Sequence, residues 1–217
     1  MFAEFSDRPL DGRLIRGERQ QARRRDIEQH RAKRHQRLAG AAPFVGRTDQ
    51  DAGFIDLTSL IVSGQPGTNL LAGARFIAPD DRNGDDRTIL AVPLASPVEP
   101  GATIDLEFAW NAHVPRAFDR AGVIADTFVV TNWFPQIGVL QDDGWHCHQF
   151  RRGTRAFNEF GRYDVALTVP DTWTIGATGV EGARVASGDG TVTHRYVAER
   201  VQDFAWTASP DYVERTD

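Results

Sequence analysis

The stretch "DDGWHCHQF", residues 142–150, sets His146 and His148 on either side of Cys147, the only cysteine in the chain. In an extended strand residues i and i+2 share a face, so both imidazoles could turn toward one ion. A catalytic zinc needs a third protein ligand and an open position. His113, His194, Asp142 and Asp143 are distant candidates, and none stands at a diagnostic spacing. Cys147 would point to the opposite face of a regular strand. The competing reading is a polar strand beside Trp145, with Cys147 packed as a small apolar residue. His146 and His148 are thus metal candidates short of a third ligand, and no cofactor is expected in this chain.

Two further stretches invite chemistry. In "DDRNGDDRT", Asp81, Asn83 and Asp85 alternate as in a calcium loop. The sixth loop position is Asp86, where Gly is needed, and the twelfth is Val92, where a bidentate Glu is needed. It reads as a hairpin turn. In "VTNWFPQIGVL", Trp133 and Phe134 precede Pro135 and Gln136. Proline rules out a central strand there and leaves an edge, a bulge or a loop. An aromatic pair at such a place could line a ligand surface, although packing at a strand end would use the same residues. The chain has no serine nucleophile elbow, phosphate loop or dinucleotide fingerprint, and no catalytic residue is assigned.

The elements that would position these residues are strands. "GFIDLTSLIVSG" is aliphatic and β-branched and closes on Gly64; "RTILAVPL" follows the polar turn "APDDRNGDDR". "ATIDLEFAW" sets Ile104, Leu106, Phe108 and Trp110 on one side. "RYDVALTVP" does the same with Tyr163, Val165, Leu167 and Val169, and "TVTHRYVAERVQDFAWTAS" supplies two more strands. Period-two alternation between Gly, Pro, Asn and Asp turns predicts antiparallel β structure. The expected fold is all-β: an antiparallel β-sandwich, or one large curved, saddle-like sheet.

Charge divides the chain unevenly. Residues 1–40 carry ten Arg and one Lys against six acidic residues, a local charge of +5, and the remainder carries −10. Residues 1–42 read as a basic N-terminal arm, helical or disordered, and residues 43–217 as the β domain. The segment 17–40 has only Ile27 and Leu38 as large aliphatic residues, too far apart for a buried stripe. Arginine clusters can grip phosphates, but no aromatic lies between residues 6 and 43 to stack on bases. This argues against nucleic acid as a partner. A single cysteine allows no intrachain disulfide and gives no sign of an oxidising compartment. No run approaches the roughly 18 apolar residues of a membrane span, and "MFAEFSDRPL" lacks the apolar core of a secretory signal. As written, the sequence reads as cytoplasmic, with no membrane partner.

Three stretches carry a family resemblance: "WFPQIGVLQDDGWHCHQF", "FGRYDVALTVPDTWTIGATG" and "THRYVAERVQDFAWTASPDYV". In order and type they resemble the amino-terminal β domain of aminopeptidase N-like zinc metallopeptidases. "GFIDLTSLIVSGQP" and "RTILAVPLASPVEPGATIDLEFAWNAHVP" are similar to earlier strands of that domain, so the resemblance spans residues 53–213. The arginine-rich start departs from the family's alternating first strands. The resemblance implies a non-catalytic domain that packs on a catalytic domain and helps wall the peptide cleft. It implies that zinc sits in that separate domain, on a His-Glu-x-x-His motif and a downstream Glu. This chain has no His-Glu pair, so no peptidase activity is expected of it alone, and His146 and His148 match no family ligand. Trp133, Phe134 and Gln136 are the substrate-facing candidates, Gln136 as the nearest polar group for a substrate amine. A free-standing β-sandwich that binds a peptide or carbohydrate is the alternative.

Overall fold

The computed structural model describes residues 26–28 (as backbone), 53–65, 67, 69–116, 121–149 and 157–215. The helical or disordered reading of the arm falls outside these residues, apart from one short strand, β1 (Asp26–Glu28). The chain is all-β, as expected. The described residues form fourteen strands and one 3-10 turn, and the strands lie in five antiparallel sheets, none closed into a barrel. Among the described residues, no helix is long and apolar enough to cross a membrane. The strands belong to two compact units.

One unit takes the described residues up to His113, together with Phe134–Glu159. Here β2 (Phe54–Val62) pairs with β5 (Leu106–His113), from Phe54 opposite His113 to Val62 opposite Leu106. Thr58 is the extra residue of a bulge between Leu57 and Ser59, and its hydroxyl donates to the Ala109 carbonyl at 3.0 Å. β5 starts later than the alternation of 102–110 predicts and runs on to His113. Its residues from Leu106 to Trp110 are all half-buried, so it does not divide into one wet and one dry face. A second sheet sets β4 (Ile89–Pro93) between β1 and β3 (Arg75–Ile77). Ile89 to Val92 are all buried, which fits the unbroken apolar run "ILAV" of a strand covered on both faces. The core of this unit is Leu60, Leu90 and Val92, with Leu57, Leu70, Leu71, Leu106 and Phe108 packed against it. β8 (Val139–Gln141) and β9 (Gly144–His146) make a separate hairpin, turned by Asp142 and Asp143.

The other unit takes Val114–Trp133 and Phe160–Asp217. Its four-stranded sheet runs β11 (Thr174–Ala177), β14 (Trp206–Ser209), β7 (Thr127–Val130), β6 (Gly122–Ile124). Its three-stranded sheet runs β10 (Gly161–Pro170), β13 (Thr191–Val201), β12 (Val180–Ala186). On β10, Tyr163, Leu167 and Val169 are buried, the face that the alternation predicts, while Val165 is half-buried. Ion pairs and threonines occupy the opposite face. The Asp164 carboxylate receives both Nε and Nη2 of Arg195 at 2.6 and 2.5 Å, and Thr168 bonds Thr193 across the strands at 2.8 Å. Phe204 is fully buried in this unit, and Val130, Ile175, Tyr196 and Ala208 are buried as well.

The turn between β11 and β12 leaves no room for a side chain. Gly179 has φ +96°, and a Cβ there would lie 2.4 Å from the Val197 carbonyl oxygen. The glycine of "ATG" is therefore required twice over, by backbone conformation and by the close approach of β13.

Candidate functional site

The β8–β9 hairpin carries the two histidines, and it ends too early for them to share a strand face. β9 stops at His146, and Cys147 and His148 lie beyond it. Each imidazole turns to a different carboxylate. His146 Nε2 meets Asp143 Oδ1 at 2.7 Å, and its ring packs edge-on against Phe157 at 6.3 Å. That hydrogen bond holds the Asp143 carboxyl below the usual carboxylate range. His148 Nδ1 meets Asp80 Oδ1 at 2.9 Å. Of the further candidates, Asp143 meets His146 and not His148. His113 stacks on Phe54 at 5.1 Å, and His194 lies in the other unit on β13. Among the described residues, no group of three His, Cys, Asp or Glu is placed to hold a metal.

Instead, the stretch after β9 holds the β3–β4 loop. Buried Gln149 accepts the backbone N–H groups of Asp80 and Asp81 on its Oε1, at 3.0 and 3.3 Å. Its Nε2 donates to Asp81 Oδ1, and its own backbone N–H donates to Asp80 Oδ2, both at 2.8 Å. The acidic loop is the hairpin turn expected, closing β3 onto β4 with Ile77 opposite Ile89. Its carboxylates and amides face inward to backbone: Asp81 accepts from the Asn83 N–H, Asn83 from the Asp85 N–H, and Asp86 from the Thr88 N–H. Such side-chain-to-backbone turns are what Asp and Asn do in tight loops. His148 and Gln149 thus form a latch on that loop. Its key residue, Gln149, carries no sequence signal, because its partners lie nearly seventy residues away.

The residues expected to face a substrate fall in both units. The chain passes from one unit to the other between Trp133 and Phe134. Phe134 is 4% exposed, and its ring is core. Trp133 is half-buried; its indole N–H donates to the Phe204 carbonyl at 3.0 Å, and its ring meets Trp206 edge-on at 6.4 Å. Asn132, held at φ +50°, donates to Asp203 Oδ2 at 2.8 Å. Gln136 is half-buried in the segment before β8. The aromatic pair is placed as packing residues are.

A charged cluster that the sequence does not announce sits on the inner face of β12 and β13. Glu181 Oε1 lies 2.7 Å from Nδ1 of buried His194 and 2.6 Å from Arg184 Nε, and its Oε2 takes Arg184 Nη2 at 2.9 Å. Hydrogen bonding by Arg184 first, and by His194 after burial's opposing push, lowers the Glu181 carboxyl from 4.5 to about 2. The cluster fixes an edge strand to its neighbour. Glu181 and Arg184 are three residues apart on β12, and His194, thirteen residues from Glu181, joins them through strand register.

Compared with protein-family models, curated proteins and solved structures, the chain finds no match in any of the three.

Proposed function

We propose that this chain is the non-catalytic β domain of an aminopeptidase N-like zinc metallopeptidase, a domain that packs on a catalytic partner and helps wall its peptide cleft. One observation carries the reading. The stretches that resemble that family, in the family's order, include residues under strict packing demands. "YDVALTVP" is the buried-face strand β10. "ATG" ends at the glycine that admits no Cβ. "DFAWTASPDY" contributes Phe204 and Ser209, both fully buried, and Tyr212, whose hydroxyl bonds Thr207 Oγ1 at 2.7 Å. Resemblance concentrated at scaffold positions is what a wall domain would keep.

Chemistry belongs elsewhere in this reading. The zinc, with its His-Glu-x-x-His ligands, sits in a separate catalytic domain, and the 217 residues here hold no His-Glu pair. The purified chain, supplied with zinc and a fluorogenic aminoacyl amide, is expected to give no turnover above buffer. Chelator-sensitive hydrolysis that follows the protein through successive columns would overturn the reading.

A further inference from the structure

β12 ends its sheet with an open side. Among the described residues no strand pairs with it beyond β13. All of its residues except Glu181 are exposed, and Val180 and Val185 are 76% and 60% exposed. An edge strand presents unpaired N–H and C=O groups that template another strand, and exposed β-branched residues do nothing to discourage it.

The sequence of the strand says which strand fits. Val180-Glu181-Gly182-Ala183-Arg184-Val185 has the same chemistry read in either direction: apolar, charged, small, small, charged, apolar, with the two charges of opposite sign. Laid antiparallel on itself, it sets Val180 opposite Val185 of the second copy, and Glu181 opposite Arg184 of the second copy. Opposed residues in an antiparallel pair must point to the same face. A regular strand would fail that condition about a centre between Gly182 and Ala183, because Glu181 and Arg184 would face opposite ways. The register of β12 shifts by one residue between Glu181 and Arg184. The shift puts both on the inner face, bonded to each other, with Val180 and Val185 both on the outer face opposite Val197 and Thr193. The irregularity therefore removes the obstacle to self-pairing.

We propose that β12 is a homodimerisation edge. Two copies pair β12 with β12 antiparallel about a two-fold axis between Gly182 and Ala183. The product is one six-stranded sheet, β10-β13-β12 followed by the same strands of the second copy in reverse. Valines meet on the outer face. On the inner face, two Glu181–Arg184 pairs close into a four-membered ring of alternating charge. The contact is small, so the dimer is concentration-dependent.

The test is sedimentation equilibrium of the full chain over a wide concentration range, with two double variants at the exposed valines. The unaltered chain is expected to move from the mass of one 24.1 kDa chain to that of two as concentration rises. Val180→Lys/Val185→Lys opposes lysine to lysine across the axis and is expected to stay monomeric at every concentration. Val180→Lys/Val185→Glu opposes lysine to glutamate and is expected to dimerise again, which also shows that charge on the outer face does not unfold the strand. A monomeric unaltered chain at the highest soluble concentration overturns the proposal. So does a dimer that survives the lysine pair, or one that the lysine–glutamate pair fails to restore.

Discussion

Glu181 is held by two partners of different kinds, and its titration reports on both. Its folded carboxyl titrates at about 2 against an ordinary 4.5. Its contribution to stability is therefore complete above about 4.5 and is lost as pH falls through that value toward 2. Urea unfolding of the chain and of Glu181→Gln should differ most above pH 4.5, and the gap should close steadily as pH drops to 2. A gap that does not change with pH would mean that the carboxylate's charge contributes nothing to holding β12. Asp164 shifts in the same direction, because Arg195 forks onto it, so the unaltered chain weakens in acid from more than one site. At this scale sequence and structure differ most. His146 and His148 stand out in the sequence because of their type and spacing, yet they serve two unconnected carboxylates. Gln149 and Glu181 do not stand out, because what they do depends on partners brought close by folding.

The strands were legible where a face is plainly buried or covered on both sides. β2, β4, β10, β13 and β14 follow from alternation or from unbroken apolar runs. β12 does not, because seven exposed or half-exposed residues with a charge pair leave no period to read. The short strands β3, β6, β8 and β9 have three residues each, fewer than any periodicity needs. The join between β11 and β12 yields the sharpest mutational contrast. Gly179→Ala adds a left-handed backbone penalty to a methyl group 2.4 Å from the Val197 carbonyl oxygen, and should cost roughly 2–4 kcal/mol. Gly190→Ala has a similar φ of +82° with nothing within 4 Å, and should cost about 1 kcal/mol. Chemical denaturation of both variants measures the difference. Equal losses would mean that β13 retreats from the turn at little cost, and that the close approach is not what the glycine is for.

On the scale of the whole molecule, the strands fall into two compact all-β units, each with its own buried residues, Leu60, Leu90 and Val92 in one and Phe204, Tyr196 and Ala208 in the other. We propose that this β structure works beside a zinc-bearing catalytic domain. It is tested most directly by immunoprecipitating the native product from its source cells with an antibody against residues 160–215, then identifying everything recovered by mass spectrometry. Peptides of a His-Glu-x-x-His zinc peptidase are expected to come down with this domain, either in a chain far larger than 24.1 kDa or in a stoichiometric partner. A band near 24.1 kDa that brings down no zinc peptidase would contradict it.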